Sequence, residues 1–382
     1  MTSSLATRAL ACGLAVLVAA PALTQESAQL SAETPRAATL GTPGAHWLLV
    51  KDIAADRIFL FDADSGRTLG TISTGYSAGA VEFAPDFSAI YLPETSYPRP
   101  FRGERTDLVT VIETQGLTAS DEVVIPAKRG TGVDHRTYNG LSDDGRWMYV
   151  VNMTPTMSVS VVDVAARRFV AEHQTPGCTM VLPTGDSSLA LLCGDGSLLH
   201  LQLDDEGAVT SRERTQPFFS PADDPVRELG VRLGDTWYLT SFHGTVYPVR
   251  VRRGALELGS AWRLSSDAEL AAGWRPAGNQ FAAGHAGLQR LYFVMNQAGD
   301  GGHKDPGNEL WVFDARNGTR LQRLRLYEPA GRVVVSQDDD PVAVVDGAGS
   351  SLFVLDARTG ALRNVIDGPL LGAGILQFVP AR

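Results

Sequence analysis

The stretch LFVLDARTGALRNVI, residues 352–366, contains two short runs of apolar and β-branched residues separated by a polar turn. Asp356 ends the first run, and Gly360 lies where the chain must reverse. Short apolar runs bounded by Asp and Gly are typical of paired β-strands, because these two residues adopt the backbone conformations that tight turns require. The stretch therefore predicts a β-hairpin.

The same pattern recurs along the chain, which makes residues 352–366 one unit of a repeat. Clear copies are IFLFDADSGRTLGTI (58–72), VSVVDVAARRFVAE (159–172) and LWVFDARNGTRLQRL (310–324). Weaker copies are VTVIETQGLTASDEVVI (109–125), LHLQLDDEGAV (199–209) and VYPVRVRRGALEL (246–258). The positions that mark the register are Asp62, Glu113, Asp163, Asp204, Arg250, Asp314 and Asp356.

A second motif alternates with the first and places a polar turn before an apolar strand, as in FAPDFSAIYLPE (83–94) and LSDDGRWMYVVN (141–152). Together the two motifs make seven four-stranded units, each of the length expected for one propeller blade. The predicted fold is an all-β, seven-bladed β-propeller. One helical signal, around residues 265–275, falls in the longest interval between register marks and indicates an insertion.

The ends of the chain predict how the ring closes. The first unit lacks an inner strand before His46, and the final segment GILQFVPAR (374–382) echoes AVEFAPD (80–86). We therefore expect the C-terminal strand to complete the blade begun at the N-terminus, which removes the open sheet edges.

The N-terminal residues have a different character from the repeats. Arg8 precedes an apolar run over residues 9–20, and Ala20-Pro21-Ala22 has the small-x-small pattern of a cleavage site. The run is too short to span a bilayer, so we predict a signal peptide over 1–22 and export to the periplasm, with a retained anchor helix as the alternative. A flexible arm over 23–45 and the propeller over 46–382 follow.

The net charge limits the kinds of partner that the chain can bind, and the cysteine content indicates a disulfide rather than a metal site. The net charge is −10 with no basic run, which disfavours nucleic acid and membrane surfaces. Beyond the signal peptide, Cys178 and Cys193 remain, and in an exported protein a disulfide between neighbouring strands is expected. A metal site would need further ligands, and no His lies within a few residues of these cysteines to complete a four-ligand site. No nucleophile elbow, P-loop or dinucleotide motif occurs, so we predict no catalytic residue and no metal on this chain.

Several segments resemble the heavy subunit of the tryptophan tryptophylquinone amine dehydrogenases, the methylamine and aromatic amine dehydrogenases. They are RGERTDLVTVIE (102–113), PGC with CGDGSLLHL (176–201), GWRPAGNQFAAGHAGLQRLYFVM (273–295) and HKDPGNELWVFDARNG (303–318). The segment CGDGSLLHLQLDDEGAV (193–209) looks closer to the aromatic branch. The cysteine spacing also fits the disulfide that these subunits carry.

The resemblance implies a division of labour between chains. In this family the heavy subunit carries no cofactor, and the tryptophan tryptophylquinone belongs to a small light subunit. Two heavy and two light subunits assemble, oxidise a primary amine to an aldehyde and ammonia, and pass electrons to a cupredoxin of the amicyanin or azurin type. The resemblance thus implies a periplasmic enzyme subunit rather than a complete enzyme.

Three aromatic residues are candidates for the working surface. STGYSAGAV (73–81) matches the family segment at the mouth of the channel to the quinone, which points to Tyr76 as a substrate-channel residue. Tyr76 packing in a groove between blades is an equally open interpretation. Tyr97 and Phe101, in SYPRPFRGERTD (96–107), are candidate contacts to the light subunit.

Two other functions stay open from the sequence. DARTGALR (356–363) is similar to repeats of propellers that bind pyrroloquinoline quinone, although the Trp that normally follows the turn and an adjacent cysteine pair are both missing. A propeller used only as a binding scaffold is the third possibility, because the fold alone does not define a function.

Overall fold

A computed structural model describes residues 39–99, 102–131, 135–347, 349, 351–368, 370 and 372–380. The described part of the chain forms seven antiparallel sheets, five with four strands and two with five. The main strands of each sheet follow one another in sequence order from the inside outward, apart from the blade that joins the two chain ends. The predictions for residues 1–38 lie outside the described residues. Within the described part, no helix is long and apolar enough to cross a membrane.

The blades are numbered along the chain and their strands are given from the inner to the outer edge. Blade 1 consists of β30 (Ala373–Phe378), β1 (Trp47–Asp52), β2 (Arg57–Asp62) and β3 (Thr68–Ser73), and blade 2 consists of β4 (Glu82–Phe83), β5 (Ala89–Ser96), β6 (Thr106–Glu113) and β7 (Thr118–Ile125). Blade 3 consists of β8 (Asn139–Leu141), β9 (Trp147–Asn152), β10 (Ser158–Asp163) and β11 (Arg168–Gln174). Blade 4 consists of β12 (Cys178–Gly185), β13 (Ser188–Cys193), β14 (Leu198–Leu203) and β15 (Val209–Arg214).

Blades 5 to 7 complete the ring, and blades 5 and 6 each have one additional strand. Blade 5 consists of β16 (Val226–Leu233), β17 (Thr236–Ser241), β18 (Thr245–Arg252) and β19 (Ala255–Leu258), and β20 (Trp262–Arg263) also pairs with β18. Blade 6 consists of the inner strands β21 (Arg275–Pro276) and β22 (Ala282–His285), which both pair with β23 (Arg290–Asn296), followed by β24 (Gly307–Asp314) and β25 (Arg320–Ala330). Blade 7 consists of β26 (Val333–Val335), β27 (Val342–Asp346), β28 (Ser351–Asp356) and β29 (Leu362–Asp367). The helix α1 (Asp267–Ala271) lies in the predicted insertion, and two 3₁₀ turns cover Arg136–Tyr138 and Gly302–Lys304.

The repeated aspartate explains the turn in the units that carry it. Asp62 ends β2, and its carboxylate accepts hydrogen bonds from the backbone N–H groups of Asp64 and Ser65 at 3.0 and 3.3 Å. Asp356, at the end of β28, accepts in the same way from Arg358 and Thr359. Such side-chain bonds hold the chain in a turn between the third and fourth strands of a blade. Asp62 and Asp356 are therefore turn residues, whereas the register mark Arg250 lies within the paired strand β18.

Neighbouring blades pack through the apolar faces of their strands. Between blades 7 and 1, fully buried Leu48, Phe61, Val344 and Val354 belong to one cluster. Cys178 and Cys193 lie directly opposite each other in β12 and β13 and form a disulfide, which confirms the predicted pairing.

The ring closes between the two ends of the chain. In the antiparallel pairing of β30 with β1, Phe378 lies opposite Leu48 and Leu376 lies opposite Val50. The predicted seven-bladed ring, closed by N- and C-terminal strands, is confirmed.

The strand order gives the propeller two different faces. One face carries the loops between the second and third strands of each blade and the segments that lead into the next blade. We call it the loop face. The opposite face, the turn face, carries the short turns between first and second strands and the aspartate turns. The longest second-to-third-strand loops are 97–105 in blade 2 and 297–306 in blade 6.

Because β30 closes the ring, truncating a buried leucine of this strand should lower the free energy of unfolding more than truncating an exposed leucine elsewhere. Leu376 is fully buried between blades 7 and 1, so Leu376→Ala should lower the free energy of unfolding by about 2–5 kcal/mol through lost burial and a residual cavity. Leu362, 39% exposed on the outer strand β29, is the matched control, and Leu362→Ala should cost less than about 1 kcal/mol. Denaturant unfolding measures both, and equal losses would contradict the assigned closure.

Candidate functional site on the loop face

Tyr76 and Tyr97 lie side by side on the loop face of blade 2. Tyr76 belongs to the segment 74–81 that enters the blade, and Tyr97 follows β5. The backbone of Tyr76 pairs with that of Thr95 through N–H to O bonds of 2.8 and 3.1 Å. The two rings, both half-buried, meet edge to face with centroids 6.1 Å apart. The isolated backbone bridge between Tyr76 and Thr95 brings the two rings together.

The third aromatic candidate, Phe101, lies outside the described residues. In the same loop, the backbones of Arg99 and Arg102 pair with each other. Both arginines are exposed, so the tip presents two cationic side chains to solvent.

A buried charge network fixes the backbone below the tyrosine pair. Arg129 is 4% exposed, and its guanidinium donates to the carbonyl oxygen of Ser77 at 2.6 Å and to Oγ1 of Thr95 at 2.9 Å. Asp107 is fully buried and accepts from the backbone N–H of Arg129 at 2.8 Å, from Thr95 Oγ1 at 2.7 Å and from Arg105 at 2.7 and 2.8 Å. Because every oxygen of this carboxylate is bonded, the charge is compensated within the fold.

Glu94 holds the other side of the Tyr76 segment. This carboxylate is 9% exposed and accepts from the backbone N–H of Gly75 at 2.6 Å and from the hydroxyl of Thr110. Burial raises the pKa of Glu94, and the bonds from Thr110 and Gly75, with the charge of Arg129, oppose that rise. Residues 75 to 77 are therefore tied at both ends to buried side chains of blade 2 and its exit segment.

Arg105 brings a cation next to the aromatic pair. Its pKa is raised, chiefly by the hydrogen bonds to Asp107 and also by the charge of Asp107, against the effect of burial. Arg105 also donates to the carbonyl oxygen of Arg129 at 2.6 Å. The side chain is one-quarter exposed. Tyrosine and arginine on a rigid, partly exposed surface are the residue types that dominate protein interfaces.

His303, on the loop of blade 6, contributes to packing on the same face. Its ring stacks on Phe242 with centroids 4.4 Å apart. Burial lowers the pKa of His303, and the charges of Arg227 and Lys304 lower it further. Among the residues that the structure describes, no group of three or more His, Cys, Asp or Glu is placed to hold a metal ion.

The sequence pointed to the two tyrosines and missed the charged residues beneath them. Arg105 and Asp107 stand in the quoted segment RGERTDLVTVIE, where two charges at the start of an otherwise apolar strand were the available signal. Arg129 had no such signal, because its partner Ser77 lies 52 residues away and the two meet only in the folded ring.

Fold and site together define a seven-bladed propeller with a pair of half-buried tyrosines and exposed arginines on one face. The chain belongs to the methylamine dehydrogenase heavy chain (MADH) family, whose sequence model matches residues 46–374.

Individual relatives agree with this membership. The methylamine dehydrogenase heavy chain of Methylophilus methylotrophus is 29% identical over 320 residues, covering 81% of this chain and 76% of the relative. That of Methylobacillus flagellatus is 28% identical over 317 residues, covering 81% and 78%. The placement in the aromatic branch stays a prediction.

Solved structures agree in fold alone. Dihydro-heme d1 dehydrogenase NirN has a TM-score of 0.57 at 17% identity, covering 90% of this chain and 68% of its own. The β-propeller domain of Cps50 (Swd1) from Myceliophteria thermophila has a TM-score of 0.55 at 10% identity, covering 82% and 95%.

A substitution at Gly75 tests whether the segment around Tyr76 is held by these hydrogen bonds. A Cβ at this position would lie 2.7 Å from the carbonyl oxygen of Thr95, so Gly75→Ala should displace the segment and destabilise the protein by about 1–3 kcal/mol. Hydrogen exchange of the Tyr76 and Thr95 amides should accelerate at least about tenfold, since their mutual bonds are broken. Gly116→Ala is the control, because its Cβ would make only ordinary contacts with Thr118. Unchanged exchange in Gly75→Ala would refute the arrangement.

Proposed function

We propose that the chain is the large subunit of a periplasmic amine dehydrogenase that converts a primary amine to an aldehyde and ammonia. The observation that carries the proposal is the family match over residues 46–374, which spans nearly the whole propeller. The relatives' names assign them to methylamine dehydrogenase as heavy chains, and a heavy chain implies a light chain beside it.

The reaction divides between the two kinds of chain. Oxidation removes two electrons from the carbon–nitrogen unit of the amine, water supplies the aldehyde oxygen, and nitrogen leaves as ammonia. The tryptophan tryptophylquinone of the light subunit supplies the two-electron oxidation when it is present. The electrons then pass to a cupredoxin, one at a time, and the protons to solvent. This chain contributes assembly and access.

The tryptophans of this chain support placing the quinone on the partner. Trp274 and Trp311 have ring centroids 5.3 Å apart, and Trp311 is fully buried. The Arg323 guanidinium stacks over both rings, at 4.8 and 4.6 Å, and the indole N–H of Trp311 donates to Glu309 at 2.6 Å. These contacts make the pair part of the packing of blade 6.

The light subunit would bind the loop face at blade 2. Tyr97, Phe101 and the exposed arginines of the same loop offer the contact residues, and Tyr76 would border the path of the amine. The buried bonds of Arg129 and Glu94 to the Tyr76 segment favour this assignment, because a channel wall needs a fixed position. In the complete enzyme, two heavy and two light subunits would assemble.

Tyr76 can be tested in the complex of this chain with its light subunit, isolated from cells that produce both. Tyr76→Ala should change kcat/KM for amine-dependent dye reduction at least about tenfold and shift the preference between methylamine and 2-phenylethylamine, because the ring shapes an apolar passage. Tyr76→Phe keeps the ring and should stay close to the parent protein.

Tyr327→Ala is the matched control, since Tyr327 is 58% exposed on the outer strand of blade 6. If Tyr76→Ala keeps both turnover and preference while the complex remains assembled, Tyr76 does not border the substrate path.

A further inference from the structure

A cavity follows the propeller axis and is separate from the tyrosine site. Its volume is about 470 Å³, within the range of small-molecule sites, and inner strands of all seven blades contribute to its wall. The wall is mostly apolar and includes Leu141, Val181, Val231 and Val333. We call it the axial cavity.

The axial cavity is closed toward the loop face. Arg136, Leu229 and Gln280 line both this cavity and a much smaller one of about 20 Å³ beyond them, so these side chains form the partition. Two hydrogen bonds brace the partition across the axis. Thr137 Oγ1 donates to the carbonyl oxygen of Glu228 at 2.5 Å, and Gln280 Nε2 donates to that of Leu376 at 2.8 Å.

The other end of the axial cavity reaches the turn face. Exposed Gln337 and Pro380 stand at its rim, each following the end of an inner strand. A ligand would therefore enter from the turn face, opposite the tyrosine pair.

Two opposite charges stand at the closed end without joining each other. Glu82 accepts a hydrogen bond from Asn139 Nδ2 at 3.1 Å, and its second oxygen makes no hydrogen bond to the residues that the structure describes. Arg136 makes neither an ion pair nor a side-chain hydrogen bond within the described part of the chain, although both residues line the cavity.

Both charges are incompletely compensated. Burial raises the pKa of Glu82 to about 7, against the opposing charge of Arg136 and the bond from Asn139. Burial also lowers the pKa of Arg136, against the opposing charge of Glu82. A ligand that supplies one charge of each sign would stabilise both ionised side chains at once.

We propose that the axial cavity binds a small zwitterionic amino acid with an apolar side chain. The ligand ammonium group pairs with Glu82, its carboxylate pairs with Arg136, and its side chain lies against the apolar wall. An amine alone would leave Arg136 without a partner, and a carboxylate alone would leave Glu82 without one. The site goes beyond the proposed dehydrogenase function and does not depend on it.

Isothermal titration calorimetry on the purified full chain tests the proposal without any light subunit. Leucine and phenylalanine should bind. The matched half-ligands, 3-methylbutylamine and 2-phenylethylamine without the carboxylate, and 4-methylpentanoate and 3-phenylpropanoate without the ammonium, should bind at least about tenfold more weakly. Half-ligands that bind as tightly as the amino acids, or amino acids that produce no heat of binding up to millimolar concentration, would overturn the proposal.

Substitutions test whether the amino acids bind in the axial cavity. Glu82→Gln and Arg136→Gln should each weaken binding of the amino acids at least about tenfold, whereas Glu206→Gln and Arg57→Gln, which change exposed residues of the same types, should leave it unchanged. Leu141→Trp, which fills the cavity without changing charge, should abolish binding. Thermal unfolding of each variant checks the fold, and the cavity-filling variant decides the matter if either charge variant fails to fold. Binding that survives in all three folded variants would overturn the proposal.

Discussion

The antiparallel pairing of β30 with β1 is the constraint on which the rest of the structure depends. A ring of sheets has no covalent closure of its own, and here one strand from the end of the chain completes the blade begun at Trp47. The pairing places Leu376 and Leu48 in the apolar cluster between blades 7 and 1, so it joins the last repeat to the first through packing as well as hydrogen bonds. It also fixes the inner strands around a common axis, because β30 is itself one of the seven that line it.

Closure sets the geometry of both sites. The segment 74–81 leaves the closing blade and enters blade 2, where the buried Arg129 and Glu94 hold it at Ser77 and Gly75. The axial cavity exists because seven inner strands stand around the axis, and the partition at Gln280 uses a hydrogen bond to Leu376 of the closing strand. One strand pairing therefore supports the tyrosine pair on the loop face and a pocket that opens on the turn face.

The repeat made the fold predictable from the sequence, whereas the charge networks were not. Asp62 and Asp356 act within their own turns, so a local pattern reveals them, and the closing strand was recognisable because GILQFVPAR echoes another inner strand. Tyr76 and Tyr97 were found through family resemblance. Arg129 and the pair of Glu82 with Arg136 work across distances of about 50 residues along the chain, and nothing in the local sequence at these positions reports which side chains face each other. Such contacts become visible only once the blades have fixed positions.

We propose that this chain is a platform and that the redox chemistry resides in another subunit. Native mass spectrometry of the complex isolated from the periplasm tests it most directly. The account predicts two copies of this chain with two copies of a small partner, and a partner mass that differs from its sequence by a tryptophan cross-link and two added oxygen atoms. A chain that is isolated alone yet reduces dye in the presence of an amine, or that itself carries that change in mass, would contradict the account.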